Sequence, residues 1–291
     1  MKKVFFLALA ISGAVTSCAP SDEPAIANVS VDVKFPSSDT DTLVTISFVN
    51  PTFSMEPMSS RTRAALSTVS TKLDLWLDDG NDVIAVNQTS SDVEFGSVSL
   101  TLNKLKTYTL YAIAHKCDAA ATLADGVISF PDDKVKDTFW YTTTFSPATA
   151  TTVNCVMSRI VSMFRIETTD AVPTDVKKIR ITQRNVFDRW NVSTGATHNL
   201  DRISTINVTS TAADGTVALS AYAIVSDTET THDIIVEALD ESDGVIQSRT
   251  FADVPLRNGY KTVYRGAFFT DADMSLSFTT SDWSEYDTTN F

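Results

Sequence analysis

Cys18 is the residue whose surroundings most clearly prepare chemistry. The run Val15-Thr16-Ser17-Cys18 places a branched apolar residue three positions before a cysteine, with small residues between. A lipoprotein signal peptidase reads that pattern, so the expected mature chain begins at Cys18 with acyl chains on its sulfur and amine. The preceding residues fit. Lys2 and Lys3 form a basic start, and Val4 to Val15 is apolar apart from Ser12 and Gly13. That stretch is too short for a stable bilayer-spanning helix and reads as a signal-peptide core, which makes residues 1–17 a cleaved leader. One acyl chain holds a protein to a membrane only marginally, whereas two or more hold it firmly. A fully acylated Cys18 is therefore a durable tether. Residues 18–27, with Asp22 and Glu23, form a polar leash behind it.

No other cluster has comparable spacing. His115, His198 and His232 include no His-x-x-x-His pair, and there is no Cys-x-x-Cys. There is no Gly-x-Ser-x-Gly elbow and no glycine loop able to cradle phosphate, in a chain with only 9 glycines. No catalytic residue, metal ligand or cofactor site is assigned. Asp78-Asp79-Gly80-Asn81-Asp82 has carboxylates enough to attract calcium, but a hairpin turn is the simpler reading. Once Cys18 is acylated, Cys117 and Cys155 remain. An oxidising compartment would let them pair, but burial as two small hydrophobes is the plainer reading. Trp76 and Trp140 fall in expected strands, which leaves carbohydrate binding as a lesser alternative.

Lys plus Arg number 23 against 36 Asp plus Glu, a formal charge of −13, which argues against nucleic acid as a partner. A hydrophobic share of 43% is ample for packed cores. Behind the leash the apolar residues recur with a period of two. Val29, Val31, Val33 and Phe35 alternate with polar residues, as do Val44, Ile46 and Phe48, then Leu73, Leu75 and Leu77, then Val98, Leu100 and Leu102. Tyr108 to Ala114 becomes apolar on both faces, as expected of a central strand. Residues 118–136 are looser, with room for a short helix. Val153 to Glu167 reads as one strand covered on both faces, and further strands are expected through Val176–Thr182, Val186–Val192, a short one at Thr205–Val208, then Val217–Ala223, Ile234–Ala238, Val245–Phe251, Lys261–Phe269 and Met274–Phe278. The Ser-Pro-Ala-Thr run at Ser146 to Thr152 marks a boundary. The expected fold is all-β: two tandem antiparallel β-sandwiches, residues 28–150 and 151–291, behind a lipoprotein signal peptide.

Four stretches carry a resemblance: Lys72 to Gly80, Tyr108 to Ala114, Met157 to Phe164, and Val254 to Gly266. In this order, and joined to the Cys18 motif, they resemble the fimbrillin-like superfamily of type V pili, in particular its lipoprotein anchor and minor-subunit branch. The resemblance implies transthyretin-like sandwiches and assembly by strand addition, in which a strand of one subunit fills an open groove in the next. It implies other pilus subunits as partners and no catalysis. Asp22 and Glu23 resemble the export signal that carries such lipoproteins to the outer leaflet of the outer membrane. Stalk and tip subunits of that superfamily are matured by an arginine-specific protease that removes the first strand. Arg61 and Arg63 lie in an early loop where such a cut would fall, or they are two surface arginines and the chain keeps its lipid as an anchor. A detachable C-terminal donor strand is not recognisable. The alternative function is a surface glycan-binding lipoprotein.

Overall fold

The computed structural model describes residues 41–49, 66–131, 134–209, 214–226, 229–270 and 278–282. Residues 1–40 lie outside the described residues, and the described residues belong to one compact unit, Ser38–Phe291. The expected strand at Val29 to Phe35 therefore also lies outside the description. Among the described residues no helix is long and apolar enough to cross a bilayer.

The first half is two facing sheets. One has the order β4 (Ser97–Asn103), β1 (Asp41–Val49), β9 (Thr152–Val156); the other runs β10 (Ser158–Arg159), β8 (Thr138–Phe145), β5 (Tyr108–His115), β2 (Lys72–Asp78), β3 (Val83–Thr89). The period of two builds the core between them. Val44 and Ile46 of β1, Val98 and Leu102 of β4, and Val153 and Cys155 of β9 face Leu73, Leu75 and Leu77 of β2 and Leu110 and Ala112 of β5. A one-turn helix, α1 (Leu66–Val69), adds Leu66 and Val69 to the same core. β5 lies between β2 and β8, and its residues from Ala112 to His115 are all buried, as its two-faced apolar pattern requires.

The second half is layered likewise. β16 (Val245–Leu256), β15 (Thr230–Leu239), β12 (Lys178–Asn191) and β13 (Gly195–Asn207) form one layer. β14 (Ala218–Ile224), β11 (Val161–Thr168), β17 (Tyr260–Gly266) and β18 (Phe278–Asp282) form the other. A single pairing, Phe187 with Ile224, links the layers. Their core holds Phe164, Ile181, Val236, Phe251 and Tyr264. β12 bulges between Gln183 and Val186, where Asn185 takes φ 56°, a left-handed conformation that asparagine tolerates. Before the bulge β12 pairs with β15; after it, β7 (Val127–Ser129) takes over that edge. β7 and its partner β6 (Thr122–Ala124) are a hairpin of the first half.

Most ladders are antiparallel, as expected, but two are parallel: β1 with β9 and β11 with β17. The segment 118–136 holds the β6–β7 hairpin where a short helix had room. Val153 to Glu167 is three strands, because the chain changes sheets at Met157 and again at Ile160; this is why both parities are apolar. β9 and β10 lie beyond residue 151 yet pair with β1 and β8 of the first half. A third core, with Trp76, Ile113, Phe130, Met163, Trp190 and Ile224, packs the two halves together.

Candidate functional site

β1 is placed where a removable strand would have to be. Its register runs antiparallel to β4 from Asp41↔Asn103 to Ser47↔Ser97, and parallel to β9 from Thr45↔Thr152 to Val49↔Val156. It is thus bonded along both edges, and its inward residues Val44 and Ile46 are fully buried. Leu43, on the other parity, is 40% exposed. Removing β1 would leave two strand edges facing an apolar slot. Of the residues singled out in the sequence, Cys18, Arg61 and Arg63 lie outside the described residues; Arg61 and Arg63 belong to the segment between β1 and α1.

Beneath sheet β10-β8-β5-β2-β3 lies a cluster that looks catalytic by composition. The Asp74 carboxylate accepts from His115 Nε2 at 2.8 Å, from the Ala121 N–H at 2.6 Å and from Asn87 Nδ2 at 2.7 Å. While the ring is neutral the Cys117 N–H donates to His115 Nδ1 at 3.1 Å; the Cys117 thiol donates to the Lys134 carbonyl at 3.1 Å. Asp74 and His115 are fully buried and Cys117 nearly so, which leaves no approach for a substrate. Burial opposes charging His115, but the Asp74 carboxylate outweighs it and lifts the imidazole to about 9. The cluster joins β2, β5 and the loop that follows β5, so His115 ties strands together from within.

The Asp78–Asp82 stretch is a hairpin turn. Asp78 Oδ1 accepts from the Gly80 N–H at 2.7 Å, and Asp79 Oδ1 accepts from the Asn81 and Asp82 N–H groups, each at 2.9 Å. The Lys106 ammonium bonds Asp79 Oδ2 and, with those backbone donors, holds the carboxyl down at about 2. Among the described residues no group of carboxylate, histidine and cysteine side chains is arranged to hold a metal ion. Cys117 and Cys155 are both free thiols in different cores, and burial pushes Cys155 up to about 12.

A large open cleft of about 1240 Å³ lies where the halves meet, between β13 and β14. Buried Arg202 closes one part of it: Nε donates to the Tyr222 carbonyl at 2.8 Å and Nη2 to the Val135 carbonyl at 3.0 Å. On the floor, burial works against the Glu167 carboxylate, but hydrogen bonds from Arg265 and Arg165 overcome it and hold its carboxyl below the usual range. The hairpin joining β12 to β13 is what sets β13 in place. Asn191 Oδ1 caps the turn by accepting from the Ser193 and Thr194 N–H groups at 2.9 and 3.0 Å. Gly195, at φ 85°, lies against the Trp190 ring, where a Cβ would sit 3.5 Å from the indole. The sequence did not signal this cleft, since only the fold brings β13 beside β14 and carries Lys116, Lys134 and Lys136 of the first half to its rim.

Several solved structures share this architecture. A "putative adhesin" from Bacteroides thetaiotaomicron superposes with TM-score 0.52 at 10% identity, covering 86% of this chain and 98% of that one. A protein from the same organism, solved among "putative polysaccharide binding proteins (DUF1812)", gives 0.51 at 10% identity, covering 83% and 96%. The fimbrial anchor protein Mfa2 from Porphyromonas gingivalis gives 0.45 at 9% identity, covering 83% and 97%. For the first two, at such identities, the likeness is one of fold. No curated protein matches the chain. The model of a family of unknown function, DUF6562, matches residues 38–288, nearly all of the compact unit in which β1 is clamped between β4 and β9, and the chain belongs to that family.

Proposed function

We propose that this chain is an accessory or anchor subunit of a surface fimbrium, structural and adhesive rather than catalytic, tethered to the outer membrane through acylated Cys18 and joined to other pilus subunits by strand addition. The observation that carries this is the place of β1, bonded on both edges and contributing Val44 and Ile46 to the core. Arg61 and Arg63 follow β1 in sequence, so a cut after either separates β1 and the lipidated end from everything downstream. The slot left behind offers what an incoming strand needs: main-chain donors and acceptors for affinity and alternating apolar sites for register. Left uncut, the same chain keeps β1 and its lipid and serves as an anchor. The fold shared with a protein described as an adhesin supports the reading.

Deleting the gene tests it. Fibres should be lost or shed into the medium, and the protein should co-purify with wild-type fibres. Normal cell-attached fibres in the deletion strain, with none of this protein in wild-type fibres, would overturn the assignment. The glycan-binding alternative draws on the open cleft and on the fold shared with the polysaccharide-binding group. Saturable binding of one polysaccharide on a glycan array would favour it.

A further inference from the structure

The cleft between β13 and β14 is bounded by two open strand edges. The Val208 N–H bonds the Lys177 carbonyl at 2.8 Å, so residues 177 and 208 form a hydrogen-bonded pair. In an antiparallel ladder such pairs alternate, and the register Lys178↔Asn207 to Gln183↔Arg202 then assigns residues 206, 204 and 202 to β12. Ile203, Thr205 and Asn207 therefore turn their amides away from β12. On the other wall the Thr168 N–H bonds the Val217 carbonyl at 2.9 Å, which by the same alternation turns Ala218, Ser220 and Tyr222 away from β11. The Tyr222 carbonyl confirms the direction by accepting from Arg202 across the gap. Among the described residues no strand pairs with the outer edge of β13, and β12 meets the outer edge of β14 only at its end, where Phe187 pairs with Ile224, leaving Ala218 to Tyr222 without a strand beside them. Arg202 bridges β13 and β14 at a side chain's length, which keeps the two from closing on each other.

The lining has a sign. Six cationic side chains face the cleft against three carboxylates, on a chain whose formal charge is −13. The carboxylates are committed: Asp137 to Arg159, Glu167 to Arg165 and Arg265, and Asp214 to Thr216. The side chains of Lys116 and Lys134 make no hydrogen bond or ion pair among the described residues. Ile203 is 61% exposed, an apolar side chain beside an open edge.

We infer that this cleft takes an extended acidic peptide segment of another protein chain, bound by strand addition between β13 and β14. Outward amides recur every second residue, about 6.7 Å apart, the repeat of an extended backbone. Among the described residues Tyr222 is the one aromatic in the lining, which is poor provision for stacking sugars. Both strands of the site belong to the second half, and it does not rest on exchange at β1.

The test is fluorescence anisotropy with the mature full-length chain and a labelled octapeptide of alternating valine and glutamate. Thr205→Pro and Ser220→Pro each delete one outward N–H while leaving the bonds to β12 and β11. A peptide N-methylated at alternate amides makes the same cut from the ligand side, whatever the variants do to folding. Expected are saturable binding that weakens with salt, a loss of about tenfold in either proline variant with unchanged melting temperature, and failure of the methylated peptide. No binding up to millimolar peptide overturns the inference. So does equal binding by the methylated peptide or by both proline variants. Tighter binding of polygalacturonate, kept in the proline variants, would overturn it in favour of a glycan site.

Discussion

Replacing His115 tests how the first half is held together from inside. His115 Nε2 sits 2.8 Å from Asp74 Oδ2, with neither side chain exposed, and the imidazole packs edge-on against Phe130 at 5.7 Å. His115→Ala leaves the Asp74 carboxylate with two neutral donors and no counter-charge. Removing one partner of a buried pair costs roughly 3–5 kcal/mol. The pH dependence is more diagnostic. The imidazole rises from 6.5 to about 9 on folding. Folding therefore favours the proton, and this stabilisation is complete below pH 6.5 and disappears as pH climbs through 9. At about 1.4 kcal/mol for each tenfold change in proton affinity, the contribution is about 3 kcal/mol at most. Urea denaturation from pH 6 to pH 9.5 on wild type and on His115→Asn would read it, since the difference cancels other titrating groups. The wild-type excess should shrink across that interval. A constant difference would refute the charged pair. It would mean that the ring stays neutral throughout, with Nδ1 accepting the Cys117 N–H at 3.1 Å, a bond that only the neutral ring can make.

Three further outcomes are expected. Cys18→Ala should release the protein from the membrane fraction; unchanged retention would remove the lipid tether from the account. Arg159 holds Asp137 through two bonds, at 2.8 and 3.1 Å, where the halves join, and Arg159→Ala should cost roughly 3–5 kcal/mol in chemical denaturation. Ile46→Ala should cost roughly 2–5 kcal/mol, measured the same way, because Ile46 is fully buried in the slot that β1 fills.

What the sequence displayed and what it hid follow from how local each signal is. Leu73, Leu75 and Leu77 alternate because one sheet face meets the core, and Tyr108 to Ala114 loses alternation because β5 is covered twice; both are visible within a few residues. Of β13 only the end left such a trace, in the short strand expected at Thr205 to Val208. Its His198, Asn199, Asp201 and Arg202 are polar, and the strand exists because β12 offers an edge and Gly195 permits the turn. The β6–β7 hairpin likewise depends on the stretch of β12 that β15 leaves free after the bulge. Asp74 and His115 stand 41 residues apart, and only strand pairing brings them together. Parallel pairing of β1 with β9 joins residues more than a hundred positions apart with no turn between them, so period and composition carry no record of it.

That parallel pairing sets how the molecule bears load. A pull between the chain ends draws β1 toward its start and β9 toward its end. Because the strands point the same way, their cross-bonds are strained together in shear and are not peeled off one at a time. β9 passes through β10 into β11, which lies parallel to β17, so the second half meets the same force in the same geometry. Two shear clasps in series would give a high rupture force to a protein anchored at one end and gripped at the other. The antiparallel edge pair β2–β3, joined by its Asp-Gly turn, lies off that line and carries none of the tension.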